Sequence, residues 1–157
     1  MSLKALLAKI QGELQERETV YEEVQRDMRR ATRLSKQAIL FTHQERFKDA
    51  RKLLKETDAL FTKLRVTAKT YPDMTYSGLV DAAFQEYAEA QTLLSLVDEG
   101  RFISPEDMNV PAIAFVLALA DVIGELRRRA LDSLRKEDVK TAEASLSLME
   151  GIYVELM

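Results

Sequence analysis

The sequence predicts an all-α protein, and two observations carry that prediction. Apolar residues recur at the three- and four-residue spacing of amphipathic helices over most of the 157 residues. Only five glycines and three prolines interrupt the chain, while 46% of the residues are hydrophobic and 31% are charged. That balance is typical of long helices rather than of sheets or disordered segments. We expect a single domain, residues 1–157, folded as a bundle of about five to six long antiparallel helices.

Breaks in the helical period divide the first two thirds of the chain. A first helix is predicted from Leu3 to about Thr42, and a second from about Phe47 to Lys69, after a short polar segment. Because proline cannot continue a helix, Tyr71-Pro72-Asp73 separates the second helix from a third. The third helix is expected between about residues 75 and 99, where Gly100 offers the left-handed backbone that ends helices.

The last third of the chain is predicted to hold one short turn and two helices. Residues 104–107 favour a single helical turn, and Asn109 is expected to cap a fourth long helix whose first turn tolerates Pro111. This helix is apolar on all sides from Ala112 to Ile123, so we expect it to be the central, buried helix. Asp138 can cap a last helix that is still periodic at the final residue.

Composition excludes several classes of function. The chain has no cysteine, which excludes disulfides, thiolate zinc sites and a cysteine nucleophile, and favours a cytoplasmic location. His43 is the only histidine and is expected at a helix end or interface rather than in a catalytic triad.

Residues 1–11 lack the features of a signal peptide, and the apolar stretch 110–124 is too short to span a bilayer. We therefore expect no membrane partner. A net charge of -3 does not indicate nucleic acid unless basic residues cluster locally.

Two pairs of acidic residues lie at helical spacing. Glu86 and Glu89 project about 60° apart on the third helix, and Asp121 and Glu125 about 40° apart on the fourth. Asp121 stands in an apolar run, where an ionised carboxylate is costly unless it is paired or bound to a cation. Carboxylates aimed from facing helices suit Mg²⁺ or Mn²⁺, which in turn suits hydrolysis of a phosphodiester. The alternative is that Glu86 and Glu89 are solvated and that Asp121 pairs with Arg128 or another cation.

Basic residues form a stripe within about 120° of the first helix, opposite its apolar face. A stripe of this kind can contact successive phosphates, although it can also be an ordinary solvated face. A second basic patch occurs at residues 127–129 of the fourth helix. The candidate nucleic-acid contacts are Arg26, Arg29, Arg30, Arg33, Lys36 and Arg128.

Two segments resemble the translin/TRAX family, most closely its TRAX-like and archaeal members. They are Phe84-Gln85-Glu86-Tyr87-Ala88-Glu89-Ala90 and Leu119-Ala120-Asp121-Val122-Ile123-Gly124-Glu125-Leu126. Ser35-Lys36-Gln37-Ala38-Ile39, followed by His43, is also similar to the family, as is the arginine-rich segment from Leu126 to Leu134. The chain is shorter than the eukaryotic members.

The resemblance implies a translin-like subunit of a hollow shell, usually an octamer, that holds single-stranded RNA or DNA. It also implies a Mg²⁺-dependent endoribonuclease site with Glu86, Glu89 and Asp121 as catalytic residues, and with Glu125 as a further metal ligand. The partners expected on this basis are single-stranded nucleic acid and either identical or related subunits. Two alternatives remain: a non-catalytic shell protein that binds single-stranded RNA or DNA, including sequence-specific DNA binding, and a purely structural helical bundle or adaptor.

Overall fold

The structure, a computed structural model, describes residues 2–157, and every regular element in that range is helical. The six α-helices of residues 2–157 are α1 (Leu3–His43), α2 (Phe47–Thr70), α3 (Gly78–Asp98), the one-turn α4 (Pro105–Met108), α5 (Ala112–Arg135) and α6 (Val139–Leu156). A short 3-10 turn, Pro72–Thr75, joins α2 to α3. The all-α prediction is confirmed, with five long helices and one short one. None of the described helices is long and apolar enough to cross a membrane.

The central helix is α3, and the prediction that α5 occupies that position is wrong. Helix α3 packs against α1, α2 and α5 and is buried over most of its length. Helix α5 lies between α3 and α6 and leaves one apolar face exposed, with Ile113, Val116 and Leu117 between 47% and 67% exposed. An apolar run cannot by itself say how many neighbours will cover it, and α5 packs mainly against α3 and α6, which leaves one of its faces open.

Two predicted helix starts are also corrected. Helix α3 begins at Gly78 rather than near residue 75, because the Ser77 hydroxyl accepts a hydrogen bond from the Val80 amide at 3.2 Å and caps the helix there. Asn109 does not cap α5. It ends α4 in the left-handed conformation, with φ of 54°, and Pro111 precedes α5 without a side-chain cap. The predicted roles of Gly100 and Asp138 are confirmed: Gly100 has φ of 68° and the Asp138 carboxylate accepts from the Thr141 amide.

Helix α1 has two different surroundings along its length. Val24, Met28 and Ala31 are buried in the bundle, whereas residues 2–16 are exposed throughout. Leu7 and Leu14 continue the same apolar face but have 54% and 60% of their surface exposed. The bundle therefore begins near the middle of α1, and the final turns of this helix, up to His43, reach the carboxylates of α3 and α5.

Candidate active site

One open groove of about 460 Å³ brings together all four acidic residues that the sequence singles out. Helix α3 contributes two of them and α5 the other two, so the two pairs face each other across the groove. The final turns of α1 form the third wall. The residues that line the groove are Lys36, Ile39, Leu40, Glu86, Glu89, Asp121, Glu125 and Arg128.

An aromatic cluster on the opposite side of α3 sets the direction in which its glutamates point. Phe61 of α2 stacks on Phe84, with ring centroids 4.3 Å apart, and meets Tyr87 edge-on at 5.3 Å. Phe84 lies two residues before Glu86, about 200° around the helix. Because Phe84 and Tyr87 are anchored on α2, Glu86 and Glu89 are turned towards α1 and α5. The core packing of α3 thus determines the orientation of this half of the site.

Glu89 is the buried member of the group. Its residue surface is 7% exposed, and its carboxylate has no hydrogen-bond or ion-pair partner among residues 2–157. Burial raises the pKa of Glu89 to about 8, and the negative charges of Glu86, Asp121 and Glu125 add to the shift. An unpaired carboxylate on a buried residue, surrounded by like charges, favours the binding of either a proton or a cation.

The other three carboxylates are each held by a neighbour through one oxygen. Gln85 Nε2 donates to Asp121 Oδ2 at 2.6 Å, and His43 Nε2 lies 2.5 Å from Glu125 Oε2. Lys36 Nζ lies 3.4 Å from Glu86 Oε1. The contact with His43 lowers the pKa of Glu125, and the positive charge of Arg128 contributes to the same shift.

In each of these three carboxylates the second oxygen has no partner among the described residues. Each of these three carboxylates therefore has one oxygen in contact with a neighbouring side chain and one oxygen without a partner.

The donor set fits a hard divalent cation. All four candidate ligands are carboxylates, the ligand class that Mg²⁺ and Mn²⁺ prefer. Within residues 2–157, no three acidic or imidazole groups converge closely enough to form a ready-made metal site. Lys36, Gln85 and His43 each contact one of the other three carboxylates. The unpaired, buried Glu89 is the feature that a cation would satisfy.

The sequence predicts that an ionised carboxylate is costly at Asp121, but in the structure the costly position is Glu89. Asp121 is exposed and bonded to Gln85, because it projects towards the open groove rather than into the core. The expected alternative partner, Arg128, lies 3.9 Å from Glu125 instead. Glu86 and Glu89 are not freely solvated, since Glu86 is paired with Lys36 and Glu89 is buried.

The predicted basic residues divide into paired and unpaired groups. Arg26, Arg29 and Arg33 are exposed and form no ion pair within the described part of the chain. Arg30 turns towards α2 and pairs with Glu56. The other two, Lys36 and Arg128, line the groove. Arg29 and Arg33 lie within about 60° of Lys36 on α1, and Arg29 is about 10 Å along the helix from it.

Sequence reasoning missed His43 and Gln85 as parts of the site. His43 is confirmed at a helix end, as the last residue of α1, but its side chain is 7% exposed and bonded to Glu125. Gln85 lies directly before the first glutamate and reaches across to α5. Each contact joins residues from different helices, so the periodicity of a single helix contains no signal for it.

A comparison with protein families decides what kind of chain this is. The model described as Translin family matches residues 19–156, which is most of the sequence. The chain therefore belongs to the translin family. A curated relative of this translin-family chain, an uncharacterized protein from Methanocaldococcus jannaschii, is 30% identical to it over 146 residues. The alignment covers 92% of the chain but 64% of that relative, so the chain spans somewhat less than two thirds of the relative's length.

Solved structures share the fold of this translin-family chain. The crystal structure of AfC3PO superposes with a TM-score of 0.84 at 33% identity, covering 96% of this chain and 78% of that one. AfC3PO in complex with duplex RNA gives a TM-score of 0.83 at 32% identity, with the same shares covered. The crystal structure of apo-NeC3PO gives a TM-score of 0.85 at 26% identity, covering 95% of this chain and 79% of that one.

Proposed function

We propose that this translin-family protein is a metal-dependent endoribonuclease of the TRAX-like type that hydrolyses single-stranded RNA. One observation carries the proposal: the buried, unpaired carboxylate of Glu89 faces three further carboxylates in an open groove. A cluster of acidic side chains on a surface would not be sufficient. An unpaired carboxylate on a residue that is more than nine tenths buried is a costly feature, and a ligand of opposite charge removes that cost.

The four carboxylates are the proposed ligands of Mg²⁺ or Mn²⁺. The oxygens of Glu86, Asp121 and Glu125 that no neighbour holds would bind together with Glu89. When bound, such a cation supplies positive charge that lowers the pKa of a water molecule and stabilises charge that develops on a phosphodiester. Hydrolysis adds water across a P–O bond and leaves a phosphomonoester and a free hydroxyl.

The basic side chains are proposed to hold the RNA backbone beside these carboxylates. Lys36 and Arg128 lie within the groove, and Arg29 and Arg33 extend the same side of α1 away from it. Cations at this spacing can contact successive phosphates and keep a polyanion near four negative charges. Contacts of this kind carry little base specificity, because every nucleotide presents the same phosphate.

The comparisons support RNA as the ligand class. A structural neighbour, AfC3PO, was solved with duplex RNA, and its fold covers nearly all of this chain. Single-stranded RNA remains our proposed substrate, since isolated strands can bend into a groove enclosed on three sides. Duplex RNA of the same sequence is therefore the natural comparison in any assay.

Assembly with further subunits, identical or related, is part of the proposal. Several large apolar side chains are exposed on α1, α5 and α6, including Leu7, Leu117 and Tyr153. Contiguous exposed apolar surface is typical of protein interfaces. We expect a homo-oligomer, with an octamer as the specific expectation from the family resemblance.

The deciding experiment is a cleavage assay on fluorescently labelled single-stranded and duplex RNA, with Mg²⁺, Mn²⁺ or EDTA. We expect cleavage with either metal, none with EDTA, and a loss of at least about 100-fold in rate for Asp121→Ala. Asp107→Ala is the matched control, because Asp107 is exposed on α4 and lies outside the groove. Wild-type rates in Asp121→Ala would overturn the proposal.

The same assay separates the alternatives. Salt-dependent binding that survives EDTA, without any cleavage, would favour the non-catalytic RNA- or DNA-binding shell protein. The exposed side chains of Arg26, Arg29 and Arg33 are the observation that supports this alternative. Neither binding nor cleavage would leave only a structural role.

A further inference from the structure

We infer that His43 is a positioning residue that fixes Glu125 for metal binding, an inference that rests on the proposed function. His43 is the last residue of α1 and lies 82 positions before Glu125 in the sequence. Its ring is nearly buried, and its Nε2 lies 2.5 Å from the Oε2 atom of Glu125. An ionised carboxylate can only accept a hydrogen bond, so Nε2 carries the proton and donates it to this oxygen.

The contact acts on one oxygen of Glu125 and leaves the other free. Arg128 approaches the same Oε2 atom, at 3.9 Å, so both neighbours lie on one side of the carboxylate. The carboxylate plane is thereby fixed with Oε1 available to the groove. Hydrogen bonds from outer residues orient metal-binding carboxylates in this way, and their loss typically weakens metal affinity.

Gln85 performs the same task for Asp121. Its amide donates to Oδ2 at 2.6 Å across the gap between α3 and α5, which leaves Oδ1 free. His43 and Gln85 thus connect α5 to two different helices, α1 and α3. Each contact joins a proposed metal ligand of α5 to a neighbouring helix. A change in the distance between these helices would therefore also change the orientation of the ligand.

The test measures Mn²⁺ binding by isothermal titration calorimetry, which does not depend on cleavage. We expect His43→Ala and Gln85→Ala each to bind Mn²⁺ about 10- to 100-fold more weakly than wild type. His43→Gln, whose amide can still donate a hydrogen bond, should recover most of the affinity. Gln44→Ala is the matched control, since Gln44 is the exposed neighbour of His43 at the end of α1.

Kinetics then distinguish positioning from loss of fold. The rate of His43→Ala at low Mn²⁺ should fall while KM for RNA stays unchanged, and a higher Mn²⁺ concentration should restore the rate. Because Mn²⁺ that binds the native state can also refold an unfolded fraction, circular dichroism at the same low Mn²⁺ concentration must show that His43→Ala is as helical as wild type. If His43→Ala proves unstable, His43→Leu decides the question, because leucine fills much of the same space but has no hydrogen-bond donor for Glu125.

The outcomes separate this inference from the proposed function. If wild type binds Mn²⁺ and cleaves RNA while both alanine variants bind equally well, the positioning roles are overturned and the proposed function stands. If wild type binds no Mn²⁺, both are overturned.

Discussion

The two helices that supply the carboxylates differ in how the fold covers them. Helix α3 is enclosed by α1, α2 and α5, and its Glu89 is 7% exposed without a partner. Helix α5 packs against α3 and α6 but leaves one face open, and its Asp121 is exposed and bonded to Gln85. An ionised carboxylate is therefore costly at Glu89 of α3 and much less costly at Asp121 of α5. A site at the boundary between core and surface thus contains a buried, unpaired carboxylate, that of Glu89, beside an accessible one, that of Asp121.

Core substitutions should show the largest difference between the two helices. Leu93 of α3 is fully buried, whereas Leu117 of α5 is 47% exposed. Leu93→Ala should lower the free energy of unfolding by about 2–5 kcal/mol because it removes buried methyl groups and leaves a cavity. In a solution dilute enough to keep the subunits separate, Leu117→Ala should cost less than about 1 kcal/mol. Chemical denaturation followed by circular dichroism measures both; an equal loss would show that another molecule covers the α5 face.

The pH dependence of stability should differ between Glu89 and Asp121. The pKa of Glu89 is raised from 4.5 to about 8, so the folded state holds this proton more tightly than the unfolded chain does. The resulting stability is fully present below about pH 4.5 and is lost as the pH rises through about 8. In metal-free buffer Glu89→Gln should therefore raise Tm by roughly 5 °C at pH 9 and change it little at pH 5.

Asp121→Asn is the matched control for that measurement, and thermal melts across the pH range provide the readout. Because Asp121 is exposed, its neutralisation should change Tm much less at either pH. Identical pH profiles for wild type and Glu89→Gln would contradict the burial of an unpaired carboxylate on α3.

Binding to RNA should depend mainly on the row of basic side chains on α1, with Arg128 of α5 as a further contact. Arg29→Gln combined with Arg33→Gln should weaken binding of single-stranded RNA severalfold at low salt. It should also reduce the slope of log K against log salt by about 1 to 2, because two phosphate contacts are lost. Fluorescence anisotropy measured in EDTA isolates binding from cleavage.

The control for this prediction carries the same change in charge on another face. Lys48 and Lys52 are exposed on α2 and lie outside the groove. Lys48→Gln combined with Lys52→Gln should leave the salt slope close to that of wild type. Equal effects of the two double variants would mean that RNA attraction reflects net charge rather than the row of arginines on α1.

The sequence by itself determined the helices and the four acidic residues of the groove. Periodicity placed α1, α2 and α6 within a few residues, and spacing put each acidic pair on one helical face, because both properties follow from 3.6 residues per turn. The resemblance to the translin family was correct, and the four carboxylates that it singled out line one groove.

Only the tertiary structure decided which carboxylate is costly and which side chains hold the others. Local hydrophobicity marked Asp121 as buried, but burial depends on how many helices surround a position, and α5 has one open face whereas α3 is enclosed. The contacts of His43 with Glu125 and of Gln85 with Asp121 join residues 82 and 36 positions apart, so they exist only when the helices pack. Helical geometry is a local property of the chain, whereas exposure and contact between helices are properties of the assembled bundle.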